Sequence, residues 1–327
     1  ARYDRQVRLR PIVSALLAAF VLAAASAVHA APAVVASIAP VHSIVARVMA
    51  GVGTPRLLTP PGASPHAFAL RPSDAQALAG AAAVFWVGPG LEAFLERPLR
   101  TVGFDARIVA LIHSPGLILY PYREGGAWAA AGHGGHGREH GRELGAPHDD
   151  DHRHAGDDAH IWLDPLNAAR MAAAVAAAMA EADPGNAARY AANAAAFQDE
   201  MQALVAEIDA VLAPVRTQPL IMFHDAYQYF ERRFGLNAVG SVAISPEALP
   251  SARRMLDVRA RLRASQAACV FIEPQFDRKL ADVAVEGSGA RIAALDPLGA
   301  ELPPGADLYP ALMRALAAAV RACAGPA

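Results

Sequence analysis

Histidines placed where predicted strands end are the residues of this chain best suited to chemistry. His66 lies in GASPHAF, just beyond RLLTP. His160 opens HIWLDP. His224 directly follows PLIMF, and Asp296 directly follows ARIAAL. Three neutral imidazoles and one carboxylate form a borderline-soft donor set that suits tetrahedral Zn2+. The intervals between them match no local zinc motif, and the chain contains neither HExxH nor CxxC. Taken singly, each has a plainer reading: a strand-end histidine as a hydrogen-bonded loop residue, Asp296 as a turn or helix cap before Pro297. Only the shared strand-end context joins them. Glu273, in FIEP at another strand end, and Asp225, beside His224, are candidates for holding the ligands from behind. His42 and His113 occupy less telling places and are read as structural.

A second concentration of histidine is HGGHGREHGRELGAPHDDDHRH, which carries His133, His136, His140, His148, His152 and His154 among glycines and acids. Such a composition cannot bury a core and predicts a disordered tract. A tract of that kind can gather metal weakly, but it cannot hold four ligands in one geometry. The tighter site is therefore expected in the folded part, and the tract is either an accessory to it or a solvated spacer.

The elements that must position the strand-end residues follow from the hydrophobic pattern. Short β-branched runs, AVVASIA (33–39), RLLTP (56–60), AVFWVG (83–88) and RIVAL (107–111), alternate with amphipathic helices. Ser73 and Gln76 read as a capping box for SDAQALAGA. After the histidine tract, HIWLDP leads into a helix over about 167–182, and Asp183-Pro184 stops it and starts another. That helix carries Tyr190, Ala194, Phe197, Met201, Leu204, Ile208 and Val211 as one apolar stripe. At 1.5 Å per residue it spans roughly 40 Å, which suits a rigid connector between two lobes. Beyond it PLIMF, NAVGSVAI, ACVFIEP and ARIAAL read as strands with helices between, and a helix over about 307–323 closes the chain. The fold class is therefore α/β, with two lobes of mostly parallel sheet and a cleft at their strand ends. The expected division is a signal peptide at 1–30, an N-terminal lobe at 31–183, a connector at 184–213 and a C-terminal lobe at 214–327. The mobile His-rich loop falls at about 126–159.

The N-terminus explains the compartment. Arg2, Arg5, Arg8 and Arg10 precede an apolar run from Ile12 to Val28, and Val28 and Ala30 suit a signal-peptidase site. The run is at the short limit for a membrane span, so export is expected. The chain's formal net charge of −2 becomes more negative once those arginines are removed, which disfavours nucleic acid as a partner. Cys269 and Cys323 are the only cysteines. In an oxidising compartment they suggest one disulfide that pins the last helix to a core strand.

PGASPHAFALRPSD, HIWLDP, FHDAYQYFERRFGL, CVFIEPQF and LDPLG, in that order, resemble the periplasmic zinc-binding proteins of ABC-type zinc uptake systems. The resemblance runs from about Ala33 to the C-terminus. It implies two α/β lobes joined by one long helix, metal in the cleft and a His-rich loop in the first lobe. It implies His66, His160, His224 and Asp296 as zinc ligands, and Cys269–Cys323 as the disulfide that zinc members often carry. Manganese-binding relatives place a carboxylate where this chain has His224, so the resemblance is to a zinc member. Some zinc members carry an acid just before the first histidine; here that residue is Pro65, leaving Asp296 or water as fourth ligand. Zn2+ is then the transported ligand and the chain is no enzyme. A zinc ABC permease is the expected partner, with a periplasmic zinc chaperone as a second, and the chain is expected to be a monomer. Other readings stay open: a manganese- or iron-binding member of the family, a secreted zinc-dependent hydrolase, or an adhesin-like surface protein.

Overall fold

The computed structural model describes residues 31–101, 106–123, 128, 156–243, 250–276 and 278–326. The expected signal peptide and the tract from His133 to His154, with His136, His140, His148 and His152, lie outside the described residues.

The first lobe places β1 (Val34–Ala36), β2 (Arg56–Leu57), β3 (Ala83–Trp86) and β4 (Arg107–Ala110) in one sheet of order β2-β1-β3-β4. Helices α1 (Ala39–Val48), α2 (Pro72–Ala79) and α3 (Ala93–Thr101) make the crossovers. Two helices follow, α4 (Pro165–Ala182) and α5 (Ala187–Leu212). The second lobe repeats the pattern: β5 (Leu220–Met222), β6 (Ala238–Ser241), β7 (Cys269–Ile272) and β8 (Arg291–Ala294) form a sheet of order β6-β5-β7-β8. Its helices are α6 (Gln228–Phe234), α7 (Ala252–Ser265), α8 (Arg278–Val285) and the closing α9 (Leu308–Ala324). Every strand pair is parallel, as expected of strands that alternate with helices. In both sheets the order reverses between the first strand and the third. That topological switch point, at the carboxyl ends of β1/β3 and β5/β7, is where open α/β sheets leave a crevice.

The core follows from which strand faces are apolar. Val34, Ala36, Phe85, Leu220, Met222 and Phe271 share one continuous cluster with buried residues of α1, α4, α5 and α9. The opposite faces carry separate cores: one with α2 and α3, one with α7 and α8. The lobes are cross-tied by buried hydrogen bonds. Trp162 Nε1 donates to Pro297 O at 2.8 Å, and the Tyr309 hydroxyl donates to Trp162 O at 2.6 Å. Ser43 Oγ donates to Ala306 O and accepts from Tyr309 N, both at 2.9 Å. A shared close-packed core and these ties join the two lobes.

Two local expectations are revised. The buried stripe of α5 is Tyr190, Ala194, Phe197, Met201, Leu204, Ile208 and Leu212, while Val211 is exposed. A strict seven-residue repeat drifts about 20° per heptad on a straight helix, so after three heptads Leu212 has replaced Val211 on the inner face. The start of α2 lies two residues earlier than a cap at Ser73 requires, because Arg71 is the N-cap and Pro72 takes the first turn. Asp74, not Ser73, then makes the cap, accepting from Arg71 N at 3.0 Å. The disulfide between Cys269 and Cys323 is present and fastens α9 to the first residue of β7. Among the described residues no helix is long and apolar enough to cross a membrane.

Candidate metal centre

Each ligand candidate is delivered by a loop at the carboxyl end of a sheet. His66 stands in the turn-rich loop after β2, where its N–H donates to Ser64 Oγ at 3.3 Å. His160 ends the segment that enters a short 3-10 turn, Ile161–Leu163. Asp164 then caps α4 through Leu166 N at 2.9 Å and pairs with Arg233, which fixes the exit of that turn. His224 follows β5, and Glu273 follows β7, so these two occupy the switch point of the second sheet.

The three rings meet. Their centroids are 5.7 Å apart for His66–His160, 6.2 Å for His66–His224 and 5.5 Å for His160–His224. One ring nitrogen from each lies within 4.8 Å of the others. His160 and His224 are buried, whereas His66 is half-buried and forms the solvent side. The cavity between them is about 20 Å3, bounded by Pro65, Leu91, Trp162, Phe276 and Leu298. That is room for a single ion or water.

The chemistry of the donors fits a cation. Asp158 Oδ1 lies 2.7 Å from His160 Nδ1. Glu273 Oε1 lies against His224 Nδ1. A carboxylate accepts only, so a ring nitrogen that faces one is suited to carry the hydrogen, which leaves the other nitrogen for a metal. Among the described residues no hydrogen bond reaches either buried ring nitrogen of His224, and Nδ1 meets Glu273 as an ion-pair contact only. A buried imidazole nitrogen with no hydrogen bond, beside two other imidazoles, is a donor suited to a cation. Burial pulls His224 toward neutrality, but the Glu273 carboxylate, helped by Asp225 and Asp158, outweighs it and raises the ring above its ordinary pKa. The proton so held must leave before a metal can bind.

The other expected site residues are placed as follows. Asp296 stands outside the three-histidine group. Its Oδ1 accepts from Leu298 N at 2.9 Å and Gly299 N at 3.0 Å, and its Oδ2 accepts from Ala300 N at 2.5 Å, so the carboxylate closes the LDPLG turn. Glu273 lines the cavity behind His224. Asp225 turns away from the rings and binds Arg123, whose Nε reaches both of its oxygens at 3.0 Å. His42 is a core residue bonded to Pro55 O at 3.0 Å, and burial lowers its pKa. Sequence reading missed Asp158, whose only signal is its position two residues before a strand-end histidine. It also missed Gln228 and Arg123, for which no local pattern exists.

The family model described as ZnuA, zinc-uptake complex component A periplasmic, matches residues 34–323. A relative from Brucella abortus (strain 2308), its high-affinity zinc uptake system protein ZnuA, is 44% identical over 303 residues, covering 89% of this chain and 91% of its own length. Among solved structures, a mutant of the laminin-binding adhesin Lmb from Streptococcus agalactiae superposes with a TM-score of 0.71 at 23% identity, covering 90% of this chain and 100% of that one. A ZnuA deletion mutant with zinc bound gives 0.71 at 24% identity, covering 91% and 99%. At such identities the two structures establish the shared fold.

Proposed function

The chain belongs to the ZnuA family of periplasmic zinc-uptake components, and from that footing we propose how it works: it captures one Zn2+ between His66, His160 and His224 and releases it to an ABC permease for import. The carrying observation is the convergence of three imidazoles from distant segments on a cavity of single-ion size. A solute-binding protein needs no more than this, since it must hold its cargo and let it go. Imidazole nitrogen suits Zn2+, and a histidine at position 224, where a harder cation would call for a carboxylate, favours zinc over manganese.

The fourth position is taken by Asp296 or by a water. Asp296 holds three backbone donors, and its Oδ2, which accepts only one of them, keeps a lone pair that a cation could take. Glu273 and Asp158 hold the ligands from behind. The working lobes are taken as 31–183 and 214–327, with 184–213 as the connector. The segment 1–30 directs export to the periplasm. The permease is the receiving partner, a periplasmic zinc chaperone is a donor, and the protein acts as a monomer. The histidine tract gathers zinc for the cleft.

Protein purified without added metal and titrated calorimetrically with Zn2+ tests this reading. One tight ion per chain is expected, and His224→Ala should abolish it. Tight binding that survives in His224→Ala would refute the placement.

A further inference from the structure

Asp158 is fully buried, and each of its polar atoms is engaged. Oδ1 accepts from the N–H of His160 at 3.0 Å and lies 2.7 Å from Nδ1 of the same residue. Oδ2 accepts from Gln228 Nε2 at 3.2 Å. The Asp158 N–H donates to Tyr120 O at 2.8 Å, and its carbonyl accepts from the Tyr229 hydroxyl at 2.8 Å. None of these bonds needs a metal, and none is explained by packing alone, since a buried carboxylate is costly unless its position is wanted.

Gln228 and Tyr229 begin α6 in the second lobe; Asp158 and Tyr120 belong to the first. Residues 120–122 and 156–158 run antiparallel, with Tyr122 N donating to Gly156 O at 3.2 Å and Pro121 bridged to Asp157. Gln228 Nε2 also donates to Pro121 O at 3.1 Å, and the Tyr229 oxygen accepts from Tyr120 N at 3.3 Å. One amide of the second lobe therefore grips both sides of this paired stem, and one of those sides carries the carboxylate that faces His160. Arg123, at the end of the same stem, adds ion pairs to Asp225 and Glu231 of the second lobe.

We propose that Asp158 is the positioning residue that fixes His160 as the Nδ1–H tautomer, with its Nε2 lone pair aimed into the cleft, and that Gln228 makes this depend on the second lobe being docked against the first. The proposal rests on the cleft being the zinc site. A neutral imidazole carries its hydrogen on whichever nitrogen finds an acceptor. Asp158 supplies that acceptor at Nδ1, and Gln228, bound to the second oxygen, holds the carboxylate in the orientation that turns the first toward the ring. Separation of the lobes would remove the Gln228 and Tyr229 bonds together and free the carboxylate to turn. His160 would then lose its fixed tautomer just as the cleft opens. Grip and docking are thereby coupled through one side chain rather than through the metal alone.

Long-range proton–nitrogen NMR of zinc-free, histidine-labelled protein at about pH 8 reads the tautomer directly, with His160→Ala assigning the signal. Wild-type His160 is expected as Nδ1–H, a measurement that needs no variant to fold. Asp158→Ala should move the ring toward Nε2–H and weaken zinc binding roughly 10- to 100-fold in a chelator competition titration. Asp158→Asn, whose amide oxygen still accepts from Nδ1–H, should keep the tautomer and lose roughly tenfold or less. Gln228→Ala should give a mixture of tautomers. An Nε2–H ring in the wild type, or Asp158→Ala binding zinc within about twofold of wild type, overturns the proposal. Failure of the zinc-cleft reading would look different, because His160→Ala itself would then bind as tightly as wild type.

Discussion

Glu273 and His224 stand at the carboxyl ends of adjacent parallel strands, β7 and β5, with Glu273 Oε1 against Nδ1 of the ring. The pair sets the proton balance of the cleft. Because burial is outweighed by the carboxylate, His224 holds its proton above the ordinary imidazole range, and zinc must displace it. Zinc affinity should therefore already be falling as the pH drops toward about 6.5 from above, and fall further below it. Glu273→Gln removes the charge that lifts the ring, so the acid limb of the binding profile should shift to lower pH. Affinity near pH 8 should meanwhile drop roughly tenfold, since the ligand is less basic and less firmly oriented. Competition titrations from pH 5 to 8 check both limbs; an unmoved profile would show that the two groups are not coupled.

The folded cleft and the histidine tract should separate cleanly under mutation. His224→Ala removes a buried proposed ligand whose Nε2 has no hydrogen bond among the described residues. It should cost at least about 100-fold in zinc affinity, as the loss of a metal ligand exceeds that of an outer-shell residue. His140→Ala removes one of many imidazoles in a weakly binding tract and should cost about threefold or less. Deleting 133–154 should leave one tight zinc per chain. Calorimetry on the three proteins decides the matter, and equal losses for His224→Ala and His140→Ala would count against the cleft.

What the sequence could disclose was set by how local each signal is. Strand-end histidines are legible because the strand pattern and the histidine sit side by side in the chain, and the structure brings His66, His160 and His224 together. The apolar stripe of α5 is legible for the same reason, except at its last turn, where helical drift accumulates. Asp296 carried two readings, ligand and turn cap, and LDPLG forms the turn. Asp225 looked like a neighbour's support only because it adjoins His224. The chain bends there and sends its carboxylate to Arg123, a partner from the other lobe. Asp158 gains its meaning from Tyr120, Gln228 and Tyr229, contacts that only tertiary structure creates.

Glu92 gives the first lobe a pH dependence of its own. It occupies the β1/β3 switch point, fully buried, and accepts from Ser37 Oγ, Val87 N at 3.3 Å and Gly88 N at 2.9 Å. Burial pushes its carboxyl up from 4.5 to about 7, with those three donors opposing the shift. A folded-state pKa above the unfolded one favours the fold fully below about pH 4.5, and that advantage is lost as pH rises through about 7. The loss amounts to about 3 kcal/mol. Glu92→Gln cannot ionise. Its unfolding free energy relative to wild type should therefore improve by about that amount between pH 5 and pH 8. Urea denaturation of chelator-treated protein measures it. A difference that stays constant across that range would mean Glu92 does not titrate there.

The disulfide should matter for stability and little for the metal. Cys269 begins β7, at the far end of that strand from Glu273, and the bond spans 54 residues to Cys323 in α9. In the chain-entropy model, closing such a loop restricts the unfolded ensemble by about 4 kcal/mol. Cys269→Ala with Cys323→Ala should lower the unfolding free energy by up to that amount; alanine avoids leaving a hydroxyl buried without a partner at Cys269. The ligand loops are held by their own hydrogen bonds and by the shared core, so zinc affinity should stay within about threefold of wild type. Saturating zinc should restore part of the lost stability by mass action, about 2.7 kcal/mol at a free concentration one hundred times Kd. Urea midpoints for wild type and the double variant, each with zinc and with chelator, test both statements. A double variant that folds as stably as wild type would show that α9 is held by packing alone, and one that cannot bind zinc would show that the β7 anchor extends its influence to the cleft.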